Sequence, residues 1–262
     1  MAILFSGDFH SNASHELSSI TKSALLKKYK PQLYESIKYH IILGDGGFLW
    51  PGEIKADLYN FRALGVRHFP ILCVIGNHEP MLGMKNLLEV DLGFGETVLK
   101  IWNQPFIAYL KRGKVYTIEG IKFLVLGGAL SIDKEYREPD ISWWYKEYWS
   151  EKEEQDLYSL LRIDNFFDFV ISHTGPDHIN SKLFGNNKDY LPKFVDKVAL
   201  LNDNVHASIN FREWWCGHWH KNLYYYDKNT YRGYQYLYKS TKILDKVGNN
   251  FHVYNEYNML KR

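Results

Sequence analysis

Five short apolar runs in this chain stop abruptly at Asp, Asn or His, and this repeated stop limits the possible fold more than any other feature of the sequence. Ala2-Ile3-Leu4-Phe5 leads into Gly7-Asp8-Phe9-His10, Ile41-Ile42-Leu43 into Gly44-Asp45-Gly46, and Ile71-Leu72-Cys73-Val74-Ile75 into Gly76-Asn77-His78-Glu79. Further on, Phe169-Val170-Ile171 leads into Ser172-His173, and Trp214-Trp215-Cys216 into Gly217-His218-Trp219-His220. Such runs are too short for helices and read as buried strands. A glycine just past most of them lets the backbone turn sharply. In an α/β sheet the carboxyl ends of parallel strands share one edge, where ligands bind. The polar residues at the five exits can therefore meet.

Between the runs the chain alternates strand and helix. Ser14 opens a predicted helix to about Lys30, and a second is expected from about Glu53 to Leu64, a rhythm that implies parallel pairing. From Met81 to Gly113, glycines and Pro105 break every period, so loops and short helices are expected there. Val115–Glu119 and Ile121–Leu126 read as a hairpin turning at Gly120 and starting a second sheet. Ser150, with Glu153 three residues on, is a capping box for a helix. Lys182–Asn187 reads as loop, followed by a helical segment through Leu200. Leu223–Tyr226, Tyr234–Tyr238 and Phe251–Tyr254 read as late strands. The predicted architecture is an α/β fold of two facing mixed sheets flanked by helices, as one domain over residues 1–262.

Composition excludes several classes. Lys and Arg number 32 against 30 Asp and Glu, so no broad basic face advertises nucleic acid. Aromatic residues make up 16% of the chain, which points to core and cross-strand packing, with a base-stacking platform as the alternative. The only two cysteines, Cys73 and Cys216, sit in predicted strands. They read as small core residues of a reducing compartment and are too few for a thiolate zinc site. Neither a signal-like leader nor an apolar run of about eighteen residues occurs. A soluble cytoplasmic protein is expected, without membrane association.

The strand exits collect Asp8, His10, Asp45, Asn77, His173, His218 and His220. Oxygen and imidazole donors without thiolate suit Mn, Fe, Zn or Ni. Seven donors are too many for one tetrahedral ion, whereas two ions sharing a carboxylate would use them all. Residues two apart in an extended segment point the same way, so Asp8 with His10, and His218 with His220, are each expected to address one volume. His15, His40, His68, His178, His206 and His252 read as core or surface histidines.

These blocks resemble those of the calcineurin-like metallophosphoesterases, which run G-D-x-H, G-D, G-N-H-[DE], H and G-H-x-H in that order. The resemblance spans Asp8 to His220, most of the chain. It implies a four-layer sandwich in which one ion takes Asp8, His10 and His220, the other takes Asn77, His173 and His218, and Asp45 bridges. It further implies His78 at the leaving-group oxygen as general acid or charge stabiliser, and a water between the ions that attacks phosphorus in line. The segment from Gly127 to Arg137 is similar to one in small bacterial and phage members. Arg137 could fork two phosphate oxygens or pair with Glu138; Asp133 could orient it. Glu79 is expected to buttress the turn.

Where protein phosphatases of the superfamily carry Asp and then Arg after the second block, this chain has Phe48 and Leu49, which argues against a phosphoprotein substrate. An aromatic rim of Phe48, Trp50, Trp143, Trp144 and Trp219 would favour a phosphodiester of a nucleotide or nucleic acid over a phosphomonoester, or would only be packing. The alternative to a dinuclear phosphoesterase, with manganese foremost as its metal, is a non-catalytic protein-binding scaffold on the same fold.

Overall fold

The computed structural model describes residues 1–8, 10, 26–48, 69–79, 87–101, 107–185, 195–238 and 240–255. In chain order its strands are β1 (Ala2–Ser6), β2 (Ile37–Ile42), β3 (Ile71–Cys73), β4 (Leu87–Asp91), β5 (Thr97–Ile101), β6 (Ile107–Tyr109), β7 (Lys114–Ile118), β8 (Ile121–Leu126), β9 (Phe166–Ser172), β10 (Asn210–Cys216), β11 (Leu223–Asp227), β12 (Arg232–Tyr236), β13 (Thr241–Val247) and β14 (Asn250–Asn255). The helices among the described residues include α1 (Pro31–Ser36), α2 (Glu151–Ile163), α3 (Asp177–Phe184) and α4 (Lys197–Ser208). One sheet has eight strands in the order β14-β13-β1-β2-β3-β6-β5-β4, and the other six in the order β11-β12-β10-β9-β8-β7. Within the first, β1, β2, β3 and β6 run parallel; within the second, β8, β9, β10 and β12 do.

The apolar runs are continuous because both faces of their strands are covered. Along β1, Ile3 and Phe5 enter the core between the sheets while Ala2 and Leu4 face the opposite way, toward Leu26 and Tyr34 beneath α1. Trp214 and Trp215 separate in the same manner. Trp215 joins the central core, and Trp214 packs outward with Leu157 of α2 and Val205 of α4. Phe5 of the first sheet meets Trp215 of the second edge-on, with ring centroids 4.8 Å apart. This packing gives the layer order helix, sheet, sheet, helix.

Three expectations change. Residues 81–113 hold β4, β5 and β6 in place of loops and short helices, because Gly93 (φ 78°) and Gly95 (φ 92°) are the turn of the β4–β5 hairpin. Lys182–Phe184 belong to α3, and α4 runs on to Ser208. β13 was not anticipated; it pairs antiparallel with β1. The hairpin at Gly120 and the capping box of Ser150 and Glu153 stand as expected. Of the helix expected from Ser14, residues 26–29 are helical and the rest lies outside the described residues, as does the helix expected over Glu53–Leu64. No described helix is long and apolar enough to cross a membrane.

Candidate metal centre

The seven candidate ligands leave the carboxyl ends of parallel strands in both sheets. Asp8 and His10 follow β1, Asp45 follows β2 and Asn77 follows β3; His173 follows β9, and His218 and His220 follow β10. Asp8, Asp45, Asn77 and His173 are buried, while His220 is exposed at the mouth. Asp45 Oδ2 is the hub, 3.2 Å from His173 Nε2, 3.8 Å from His10 Nε2 and 3.9 Å from His78 Nε2. His173 Nε2 lies 3.0 Å from Asn77 Oδ1, and His10 Nε2 3.1 Å from His220 Nε2. The His218 ring packs against that of His173, with centroids 5.0 Å apart.

The local backbone is not extended as the two-apart spacing predicts. His10 (φ 47°), Asp45 (φ 51°), His218 (φ 66°) and His220 (φ 50°) all adopt left-handed conformations. Such residues cost of order 1–3 kcal/mol each and persist only where their surroundings impose them. Here the impositions are explicit. His10 N donates to Asp45 O at 2.8 Å, His218 N to Asp8 Oδ1 at 2.9 Å, and His78 N to Asp45 Oδ1 at 2.8 Å. Glu79 accepts from the backbone N–H of Gly76 at 2.5 Å and of Gly46 at 2.6 Å, so it buttresses the Asp45 turn.

Three of the motif glycines make room for a candidate ligand from another motif, whereas Gly7 makes room for the Leu237 carbonyl. A Cβ on Gly44 would lie 2.1 Å from His173 Nδ1, on Gly76 2.1 Å from Asp45 Oδ1, and on Gly217 2.8 Å from Asp8 Oδ1.

The donor set fits divalent cations. Asp8 Oδ2 is fully buried and has no hydrogen-bond partner. Burial pushes the Asp8 carboxyl up to about 7; His173 pulls it down and Asp45 pushes it further up. Burial would lower His173, yet Asp45 and Asp8 beside it hold its pKa up at about 10. A proton on His173 thus supplies positive charge between the two carboxylates, the place where a bound cation would supply it. His173 Nδ1 lies 2.8 Å from the Leu43 carbonyl and donates to it, leaving Nε2 aimed at Asp45 and Asn77.

Arg137 Nη1 and Nη2 each lie 3.1 Å from a ring nitrogen of His78. Asp133 holds the guanidinium at 2.7 Å and Ser142 O at 3.2 Å, so its ion pair is with Asp133 and not with Glu138. Burial and the Arg137 charge lower the His78 pKa against the pull of Asp45. A cavity of about 300 Å³ opens beyond this pair, bounded by Asp133, Asp177, Asp196, Phe184 and Trp219. Most of the expected aromatic rim is packing. Phe48, Trp143 and Trp144 are buried, Trp50 lies outside the described residues, and of the expected rim Trp219 lines the cavity, stacked on Phe184 with centroids 4.7 Å apart. Cys73 and Cys216 are buried free thiols in separate clusters. His40 is a core histidine bonded to Ser6, as expected. Sequence reasoning missed Ser131, which meets Asn77 from a segment without periodicity, and Glu147, which meets Ser131.

A family model, calcineurin-like phosphoesterase, matches residues 1–222. The chain belongs to that family. Like other calcineurin-like phosphoesterases it is a metal-dependent phosphoesterase, and the two-sheet fold is the one the sequence blocks imply. TT1561 from Thermus thermophilus is similar in fold, with TM-score 0.54 and 12% identity over 97% of this chain and 98% of that one. The phosphopantetheinyl hydrolase PptH from Mycobacterium tuberculosis aligns with TM-score 0.49 and 11% identity over 91% of this chain and 90% of that one. No curated protein matches the sequence.

Proposed function

We propose that this phosphoesterase hydrolyses a phosphodiester with two divalent transition-metal ions, manganese foremost. One would be held by Asp8, His10 and His220, the other by Asn77, His173 and His218, and Asp45 would serve both. The observation that carries this reading is the convergence of donors from both sheets on Asp45, beside an Asp8 oxygen with no partner. When bound, such ions would lower the pKa of a water and offset charge on the phosphoryl oxygens.

The chain's own residues supply the rest. Arg137, oriented by Asp133 and Ser142 O and set against His78, places a fixed positive charge at the cavity that attracts phosphate oxygens. It also disfavours a second proton on His78, so His78 meets the leaving oxygen as a neutral N–H donor that stabilises charge. Arg137 is the only Lys or Arg among the described residues lining the cavity, against Asp133, Asp177 and Asp196 on its walls. A diester monoanion suits that balance better than a monoester dianion. A short substrate with a single phosphate suits it better than a nucleic-acid chain, and a nucleoside arm would meet Trp219. The buried free thiols support a cytoplasmic setting, and the core shared by both sheets supports a single domain.

The test is hydrolysis of bis-p-nitrophenyl phosphate beside p-nitrophenyl phosphate after chelation and Mn²⁺ reloading. Turnover is expected to return only with metal, to favour the diester, and to vanish in Asp45→Asn. His78→Ala is expected to cost roughly 10²–10³-fold on an alkyl leaving group and less on nitrophenolate, which leaves without help. Absence of metal binding would make the scaffold the better account.

A further inference from the structure

We propose that Ser131 and Glu147 are positioning residues that decide which end of the Asn77 side chain faces the metal centre. The proposal rests on reading Asn77 as a ligand. Ser131 and Glu147 are each only 1% exposed, and they join Asn77 in a single line of hydrogen bonds. Asn77 Nδ2 lies 3.0 Å from Ser131 Oγ, which lies 2.6 Å from Glu147 Oε2; Ser131 N donates to Glu147 Oε1 at 3.2 Å.

The direction of this line follows from proton counting. A carboxylate only accepts, and a serine hydroxyl has one proton. Glu147 takes that proton, so toward Asn77 the Ser131 oxygen can only accept. The amide nitrogen must therefore face Ser131, and Oδ1 must face the centre, where it sits 3.0 Å from His173 Nε2. The orientation matters because a divalent cation binds the amide oxygen and is repelled by the N–H₂ end. A side-chain amide is otherwise free to present either face at little steric cost. Polarity along the line is thus set by the negative charge at its far end.

Glu147 is itself fixed. Arg112 donates to the carbonyls of Lys146, Glu147 and Tyr148 at 3.1, 3.4 and 2.9 Å, and forks Glu153 of α2 with two bonds of 2.9 Å. A Cβ on Gly128 would come within 2.3 Å of Glu147 O, so the loop bearing Glu147 lies directly on the end of β8.

The experiment is calorimetric titration of chelated protein with Mn²⁺ alone, in wild type, Ser131→Ala, Glu147→Gln and Ser131→Thr. The wild type is expected to bind two ions. Ser131→Ala is expected to weaken one of the two by about 10–100-fold and leave the other unchanged, in a protein that still melts cooperatively at a somewhat lower temperature. Glu147→Gln places an amide N–H₂ beside Ser131 and reverses the line, and should weaken the same single site. Ser131→Thr keeps the hydroxyl and should restore binding. Wild-type affinities at both sites in Ser131→Ala, or a Glu147→Gln loss spread equally over both ions, would overturn the proposal. A wild type that binds no Mn²⁺ would overturn the ligand reading and this proposal with it. If Ser131→Ala does not melt cooperatively, the distribution of the Glu147→Gln loss between the two sites decides.

Discussion

One methyl group tests how tightly the site is built. Gly44 and Gly93 both have left-handed backbone, φ 86° and 78°, but a Cβ on Gly93 meets nothing within 4 Å whereas one on Gly44 strikes His173. Gly93→Ala should therefore cost only the conformational penalty, about 1–2 kcal/mol, with Mn²⁺ binding intact. Gly44→Ala should add displacement of His173 and lose an ion, read by metal stoichiometry alongside a urea melt. The candidate ligands were legible in the sequence because each sits where an apolar run stops at a glycine or close to one. Their left-handed backbone was not, since nothing in Asp8-Phe9-His10 distinguishes a turn from an extended segment. Ser131 and Glu147 carried no signal either, because only the finished fold brings them to Asn77; Ser131 stands 54 residues from it along the chain.

Among the elements, α2 and α4 lend themselves to measurement. The Ser150 hydroxyl and the Glu153 carboxylate close a reciprocal cap at the start of α2. Ser150→Ala should lower stability by about 1 kcal/mol in chemical denaturation. On α4, burial, with His178 and Arg232 nearby, lowers the His206 pKa from its ordinary value to about 4. A depressed histidine takes up its proton more readily when unfolded. The stability it protects is therefore present above pH 6.5, is lost as pH falls, and is gone near pH 4. His206→Gln should flatten that loss when urea melts at pH 7 and pH 5 are compared. The capping box was readable because it is a local pattern. The strands β4, β5 and β6 were not, because β6 has only three residues and the glycines that end the β4–β5 pairing also disguise it.

For the molecule as a whole, Asp8, Asp45 and Asn77 come from the eight-stranded sheet and His173, His218 and His220 from the six-stranded one. An ion held there ties the two sheets together, as Trp215 against Phe5 does in the core below. Removing metal from protein loaded at 100 times Kd should cost about 2.7 kcal/mol for each ion lost. At this chain length that is roughly a 5–10 °C fall in Tm per ion, read by calorimetry with and without chelator. Trp215→Ala should cost about 3–5 kcal/mol whether or not metal is present. The glycines that admit each other's ligands also set the order in which such a site can decay. Gly44 is held to glycine by His173, Gly76 by Asp45 and Gly217 by Asp8. A descendant that abandoned catalysis would be free to lose a ligand first, and only then the glycine facing it. A bulky residue at Gly76 alongside a retained Asp45 would be an impossible intermediate, so in any lineage the glycines should be the last trace of the site to disappear.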